Sequence, residues 1–243
     1  MNESNPFSNA FEEIRFSVVK RYCKDHNIAF DTLSKDEKEN LLKIALKENA
    51  DKQEELRKAE EAQKKEAEAK KRESIYNSWL ESYVPKRYKD AKRSDFMDSV
   101  APLFSLEQSA LIIGGNGIGK SHLAWAIAKE ARKSGRTVEV INLYRLLSEI
   151  KATPNWYDDI DMYARFDVLI IDEYDKCHGS ESDFVLLSEL VDKRYDEMLP
   201  TIVIGNGDDQ QAQKLLGQSV YSRLTGDGGR LYKLGGTDRR RKN

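Results

Sequence analysis

The chain has 243 residues, and its 40 basic and 42 acidic side chains leave a formal net charge of −2 at pH 7. This balance excludes a global basic field, so any DNA binding must come from local patches. The mean hydropathy of −0.70 is polar for a compact globule, which predicts that part of the chain is extended or solvated. The few cysteines form no disulfide framework and the histidines show no metal-ligand spacing. Without a signal peptide or a long apolar run, we expect a cytoplasmic protein with no membrane partner.

The first segment predicts a small helical hairpin. Apolar side chains recur at helical spacing and form one face, at Phe11, Ile14, Val18 and Tyr22. Residues 26–31 break the pattern, and Ser34 with Glu37 makes a capping box that begins a second helix. We predict that residues 1–49 form an all-α domain that docks a partner. A helical cap packed on the main domain is the alternative.

A long charged segment follows. Residues 50–74 are almost entirely Glu, Lys, Arg, Ala and Gln, with acid-first pairs such as Glu54 and Lys58 at i,i+4. Such pairs contribute about 0.2–0.5 kcal/mol each to a helix. The apolar residues make no sustained heptad, which argues against a coiled coil. We predict a charged helical linker over residues 50–82 that ends before Pro85, with a disordered linker as the alternative.

From residue 83 to 236 strand and helix patterns alternate, which predicts a parallel sheet with helices on both faces. Short apolar runs typical of buried strands occupy residues 110–113, 138–141, 168–172 and 201–204. Helical spacing occupies residues 122–133 and 183–198, and in the second of these the side chains expected to face inward are Val185, Leu186, Leu190 and Val191.

Residues 114–121 read G-x-x-x-x-G-K-[ST], the phosphate-binding P-loop. The glycines allow a tight turn whose N–H groups face phosphate, Lys120 supplies a cation for the β- and γ-phosphates, and Ser121 can place a hydroxyl on Mg²⁺. The preceding strand and the following helix would set the phosphate at a helix N-terminus. The predicted ATP contacts in this segment are Gly114, Gly115, Asn116, Gly117, Ile118, Gly119, Lys120, Ser121 and His122.

Two other strands are predicted to end in functional side chains. Residues 166–173 form an apolar run that closes with two carboxylates, so we expect Asp172 to hold Mg²⁺ and Glu173 to accept a proton from the attacking water. Asn206 follows the strand that ends at Gly205, where it could orient water near the γ-phosphate. The alternative for Asn206 is a turn former, since residues 205–208 are turn chemistry in their own right.

The order of these motifs resembles AAA+ ATPases of the helicase-loader and transposition-ATPase clade, the DnaC/IstB type. The resemblance covers about residues 84–239 and includes Pro85-x-Arg87-Tyr88-x-x-Ala91, residues 146–151 and residues 214–224. It implies an α/β fold of the P-loop AAA+ kind, with Asn206 as sensor 1. It also implies that Arg223 is an arginine finger that completes a neighbouring subunit's ATP site. Arg239 or Arg240 would be sensor 2, although the aromatic stretch expected before it is missing, and residues 237–243 otherwise read as a basic tail.

In the loader and initiator branch of this clade, an extra helical element between the second strand and the acidic strand touches single-stranded DNA. The corresponding segment here is residues 144–165. Lys151, Trp156 and Tyr157 offer a cation beside aromatic faces on which bases can stack. The alternative is that the two aromatic rings fill a gap between helices.

The resemblance implies a function in DNA replication. The protein would bind a hexameric replicative helicase through its N-terminal region and load it onto single-stranded DNA. ATP and Mg²⁺ would drive assembly of a homo-oligomer, and hydrolysis would drive release. The unusual N-terminal region suggests a phage or mobile-element version. The alternative is an IstB-type transposition regulator that binds duplex DNA and a transposase. A nucleotide kinase would need a lid arginine cluster and an acceptor pocket, and neither is found in the sequence.

Overall fold

The structure, a computed structural model, describes residues 6–96, 105–176, 179–226 and 229–236. The chain divides into two compact units, Met1–Lys70 and Lys71–Asn243. Each unit has buried apolar side chains of its own. The finer division predicted from composition, at residues 49, 82 and 236, stays a prediction.

The first unit contains helix α1 (Pro6–Asp25), a short 3₁₀ turn and the start of helix α2 (Lys35–Ser82). The predicted hairpin is wrong, because the two helices pack with the same chain direction: Arg15 pairs with Glu39, and the later Tyr22 pairs with the later Glu48. The predicted capping box is present, because the Ser34 N–H donates to Glu37 Oε2 at 2.7 Å and the Glu37 N–H donates to Ser34 Oγ at 3.3 Å. The backbone N–H groups of Ser34 and Glu37, at the start of α2, therefore have side-chain acceptors.

The apolar face predicted for α1 lies only partly on the buried side of the helix. The small core of the first unit is made by Val19 and Cys23 of α1 with Leu42 of α2, and Val18 of the predicted face packs against it. Ile14, predicted on the apolar face, is 61% exposed. The side chain of Phe11 lies outside the described residues. Because few partners are available in a two-helix unit, only one narrow stripe of α1 can be covered, and that stripe lies one position further along than the apolar spacing suggested.

Helix α2 is continuous from Lys35 to Ser82. Its middle carries the predicted acid-first pairs, such as Glu54 with Lys58 at 2.8 Å and Glu66 with Lys70 at 2.7 Å. No glycine or proline interrupts it, and its charged composition keeps its surface solvated. Across the described ranges, no helix has the length and apolar character needed to cross a membrane.

The second unit is built on a parallel sheet, which confirms the predicted fold class. Its five strands are β1 (Ser109–Gly114), β2 (Val138–Asn142), β3 (Val168–Asp172), β4 (Thr201–Asn206) and β5 (Gly229–Leu234), in the order β2-β3-β4-β1-β5. All neighbouring strands are parallel. The strand β5 was not predicted, because it lies at an edge and only Tyr232 and Leu234 of its side chains are buried.

Helices cover both faces of this sheet. They are α3 (Lys120–Lys133), α4 (Leu143–Ala152), α5 (Trp156–Ala164), α6 (Glu181–Asp196), α7 (Asp209–Leu216) and α8 (Gln218–Thr225). Alternate residues of β1 face opposite layers: Ala110 and Ile112 pack with α3, whereas Leu111 and Ile113 pack with the layer that holds α4 to α8. The prediction that Val185 faces inward is wrong, since it is 59% exposed and lies at the edge of the buried stripe of α6.

Candidate functional site

The carboxyl ends of three neighbouring strands meet at one cleft. Because β4 lies between β1 and β3, Asn206 at the end of β4 lies between the P-loop and Asp172. Gly114 at the end of β1 is directly paired with Asn206. The cleft has a volume of about 450 Å³, and its lining includes Lys120, Glu173 and Asn206. Parallel strands therefore bring these side chains together, although they are far apart in the sequence.

The P-loop backbone makes the floor of this cleft. Gly117 and Gly119 have φ angles of 77° and 101°, in the left-handed region that glycine tolerates best. Helix α3 begins directly after Gly119, which has no side chain to cap the first N–H groups. These N–H groups are therefore available to an anion. Gly114 is also sterically required, because a Cβ there would lie 2.5 Å from both Ile118 Cδ1 and the Leu234 carbonyl oxygen.

Lys120 is the buried cation of the cleft, with 8% of its surface exposed. Its ammonium donates to the carbonyls of Gly114 at 3.1 Å and Gly115 at 2.5 Å, and to Asn206 Oδ1 at 2.6 Å. A buried ammonium needs hydrogen-bond acceptors, and the oxygens of a bound phosphate could replace the three that Lys120 has here.

The carboxylate of Asp172 and the hydroxyl of Ser121 lie together beside Lys120, and both have oxygen atoms that can bind a metal ion. Burial raises the pKa of Asp172, while hydrogen bonds from the Ser121 side chain and the Glu173 N–H act in the opposite direction. The Glu173 N–H lies 2.8 Å from Asp172 Oδ1. A hydroxyl and a carboxylate are the hard ligands that Mg²⁺ takes, with its other ligands supplied by phosphate and water. The residues therefore fit Mg²⁺, even though the described ranges contain no cluster of three or more metal-type side chains.

Glu173 occupies an unusual backbone position. Its φ angle is 57°, which is costly for a residue with a Cβ and is typical of functional sites. Its carboxylate forms an ion pair with Lys176, which also lines the cleft. Lys176 was not predicted, because a lysine three residues after a glutamate is indistinguishable in the sequence from a solvated surface charge.

An aromatic wall closes one side of the cleft. The ring of Tyr88 stacks on Trp125, with centroids 6.1 Å apart and planes 16° apart, and meets the ring of His122 edge-on at 6.1 Å. The Arg87 guanidinium lies 5.0 Å from the Tyr88 ring centroid. Arg87, Tyr88 and His122 all line the cleft. Flat apolar faces flanked by a cation can hold a nucleobase.

Arg223 lies away from this cleft, on α8. Its Nη1 donates to Ser219 Oγ at 2.6 Å, and its Nε lies 2.6 Å from Asp192 Oδ1. Its guanidinium also faces the Tyr195 ring at 5.6 Å. The structure therefore does not bring Arg223 together with the P-loop of its own chain. Arg239 and Arg240 lie outside the described residues.

The three side chains expected to touch DNA are near the junction of α4 and α5. Trp156 and Tyr157 stack with their centroids 3.7 Å apart. Trp156 is half-buried against the core, whereas Tyr157 is 52% exposed. Lys151 forms an ion pair with Asp183 of α6. The arrangement leaves an aromatic face on the surface, but it also uses part of Trp156 for packing, and the DNA role stays a prediction.

Comparisons with known proteins give similarities over about half the length of each curated relative. The chain is 32% identical to the uncharacterized protein YdaV of Escherichia coli K12 over 124 residues, which are 48% of this chain and 49% of that protein. It is 30% identical to the replicative helicase loader DnaC of the same strain over 121 residues, again 48% and 49% of the two chains. The chain thus spans about half the length of the curated relatives it matches.

A solved structure supports the fold. The crystal structure of the DnaC helicase loader aligns with a TM-score of 0.51 and 18% identity, over 62% of this chain and all of that one (100%). Residues 31–221 match the family described as IstB-like ATP binding protein. Because this match covers most of the sequence, the chain belongs to the IstB-like ATP binding protein family.

Proposed function

We propose that the protein is an ATPase that loads a hexameric replicative helicase onto single-stranded DNA in the cytoplasm. The observation that supports ATP hydrolysis best is the meeting of Lys120, Asp172, Glu173 and Asn206 in one cleft. The loading role is supported by similarity to relatives named as replicative helicase loaders. ATP binding would assemble a homo-oligomer, and hydrolysis would release the helicase.

In the proposed binding step, the open N–H groups after Gly119 and the ammonium of Lys120 hold the phosphates. Lys120 exchanges its present carbonyl and amide acceptors for phosphate oxygens. Tyr88 and Arg87 form the wall for the base. Ser121 and Asp172 would hold Mg²⁺, which supplies positive charge to the phosphate oxygens when bound.

In the proposed hydrolysis step, water attacks the γ-phosphorus and the bond to the β–γ bridging oxygen breaks. Glu173 accepts the proton of the attacking water. Its carboxylate must first leave Lys176, because a carboxylate paired with an ammonium is a poorer base. Asn206 orients the water through its side-chain amide.

Arg223 is proposed to act in the site of a neighbouring subunit. Its position on α8, outside the lining of its own cleft, supports a role in another copy of the chain. Arg223→Ala should then bind ATP but lose hydrolysis, and arginine fingers contribute on the order of 10³–10⁵ in rate in other NTPases. Mixing Arg223→Ala with Glu173→Gln should restore part of the rate. No recovery in co-assembled mixtures would count against an arginine that acts between subunits.

The helix pair α1 and α2 of the first unit is proposed to dock the helicase. Ile14, Phe16 and Leu46 are exposed by 61%, 44% and 53%, which leaves apolar surface for a partner. Leu42 is buried between the two helices and is not available. Ile14→Asp combined with Leu46→Asp should abolish co-elution with a hexameric replicative helicase. Leu56→Asp, a similarly exposed leucine on the charged part of α2, is the matched control. Unchanged co-elution would refute the docking surface, and co-elution with a transposase would favour the transposition alternative.

The central test is nucleotide titration. Lys120→Ala should lose ATP binding, while Glu173→Gln should bind ATP without turnover, because the two residues serve the phosphates and the water separately. Equal ATP affinity of the wild type and Lys120→Ala would refute the assignment of the cleft.

A further inference from the structure

Asp175, which also lines the cleft, holds the side chain of Asn206. It lies in the 3₁₀ turn Tyr174–Lys176 that follows β3. Its Oδ1 accepts the backbone N–H of Asn206 at 2.8 Å, and its Oδ2 accepts the side-chain Nδ2 at 2.6 Å. On the opposite side, Asn206 Oδ1 accepts from Lys120 Nζ at 2.6 Å. The amide of Asn206 is therefore clamped between a carboxylate and an ammonium.

This clamp determines which end of the amide faces Lys120. The oxygen and the nitrogen of an asparagine side chain are similar in size, so only their partners select the orientation. The carboxylate of Asp175 has acceptors alone, and the ammonium of Lys120 has donors alone. A flipped amide would lose both hydrogen bonds. It would place its N–H₂ group against the Lys120 ammonium and its oxygen against the Asp175 carboxylate, so one orientation is strongly preferred.

A glycine makes the approach of Asp175 possible. A Cβ on Gly205 would lie 2.5 Å from Cε1 of Tyr174 and 2.7 Å from Oδ1 of Asp175. The Tyr174 ring is fully buried and cannot move aside easily. Because residue 205 is a glycine, the 3₁₀ turn can approach the end of β4 closely enough for Asp175 to bind Asn206.

We propose that Asp175 is a positioning residue for ATP hydrolysis, which keeps the oxygen of the Asn206 amide directed to the side of Lys120. This inference rests on the proposed function of the cleft. Once Lys120 turns its ammonium to a phosphate, the Asn206 oxygen is free to accept a hydrogen bond from the attacking water. Asp175 acts through Asn206 by preventing the amide from presenting its N–H₂ group to that water instead.

The test uses the full chain and Asp175→Asn, which keeps the shape of the side chain but allows both orientations of Asn206. The kcat for ATP hydrolysis should fall about 10- to 100-fold, as expected for a misplaced reactive geometry. The Kd for ATP should change by less than about threefold, because the P-loop is untouched. Asp51→Asn, which makes the same substitution on the exposed surface of α2, should leave both values unchanged. Asp175→Asn with unchanged kcat would overturn the proposal.

A second measurement needs no hydrolysis. In Asp175→Asn combined with Asn206→Asp, the new amide can donate to the new carboxylate, and that carboxylate can still accept from Lys120. Without nucleotide, this double variant should recover at least about half of the drop in melting temperature caused by Asp175→Asn. No recovery would overturn the pairing on which the proposal depends. Failure of the wild type to bind ATP would overturn the proposed function and the role in hydrolysis with it, while the melting temperatures would still decide the pairing.

Discussion

Arg194 provides a sharp prediction about stability. It is completely buried on α6, and its guanidinium has five acceptors, three of which share the two N–H groups of Nη1. The acceptors are Thr201 Oγ1 and the carbonyl oxygens of Tyr163, Ala164, Phe166 and Pro200, at 2.7 to 3.2 Å. They lie at the end of α5, just before β3, and at the start of β4. One side chain therefore satisfies the backbone groups of three elements at the edge of the sheet opposite the cleft.

Substituting Arg194 with methionine should cost about 3–4 kcal/mol of unfolding free energy. Five hydrogen bonds at about 1 kcal/mol each set the upper scale. Removing the buried charge offsets part of this loss of unfolding free energy, because desolvation of the guanidinium destabilises the folded state. That desolvation is visible in the pKa of Arg194, which burial lowers to about 10, so the group still carries its charge at neutral pH. The loss of unfolding free energy for Arg194→Lys should be smaller than that for Arg194→Met but not zero, since the lysine ammonium has three donors and lacks the planar fork of a guanidinium.

Urea denaturation followed by tryptophan emission suits this test, because Trp79, Trp125 and Trp156 all belong to the second unit. The midpoint should fall while the dependence on urea stays the same. Arg165→Met, at an exposed arginine after α5, is the matched control and should change stability by less than about 0.5 kcal/mol. A loss below about 1 kcal/mol for Arg194→Met would refute the reasoning, because the acceptors would then have found other partners.

Three further predictions concern other sites. Met198 has a φ angle of 52° and is 87% exposed, so Met198→Gly should raise the free energy of unfolding by up to about 1 kcal/mol in the same urea assay; a loss of stability would contradict the assigned strain. Asp167 accepts from the Thr137 N–H at 2.6 Å, which lowers the pKa of the Asp167 carboxyl, so Asp167→Asn should cost about 1–2 kcal/mol at neutral pH. A lowered pKa stabilises the fold above the ordinary carboxyl range, so the difference between the two proteins should shrink as the pH falls below about 4, and a constant difference would exclude this cause. Tyr157→Ala with Lys151→Ala should weaken single-stranded DNA binding by about 1–3 kcal/mol for the lost stack and reduce its salt dependence, and unchanged affinity at two salt concentrations would leave the pair with a packing role.

Lys120, Asp172, Glu173 and Asn206 of the cleft could be found in the sequence because each carries a local signal. The P-loop has a fixed spacing, Asp172 and Glu173 end an apolar run, and Asn206 follows another. The order of the strands has no local signal, because it depends on which strands pair over long separations. For the same reason the contact between Lys120 and Asn206 is visible only in the folded chain.

Three residues with roles in the folded chain were not predicted from the sequence, and their charge explains why. Asp175, Lys176 and Arg194 are charged, and charged side chains at ordinary helix or turn positions are usually solvated. Another element supplies the partner of two of them, Asn206 for Asp175 and the backbone carbonyls for Arg194, whereas Lys176 pairs with the strained Glu173 three residues before it. Tertiary structure supplies the partners of Asp175 and Arg194, and the local pair of Lys176 has the same sequence pattern as a solvated surface pair, so propensity and periodicity could not have indicated these residues.

The position of β1 has a consequence for biosynthesis. This strand carries the P-loop, yet its two neighbours are the last strands of the sheet along the chain: Ala110 pairs with Ile202, and Ser109 pairs with Gly229. On the ribosome β1 emerges well before either neighbour, and its edges stay unpaired until β4 and β5 have been synthesised. Closing such long loops is entropically costly and makes folding slow. A nascent chain stalled before residue 229 would leave one edge of β1 open to pairing with other chains, so the nucleotide-binding strand is also the one most exposed to aggregation during synthesis.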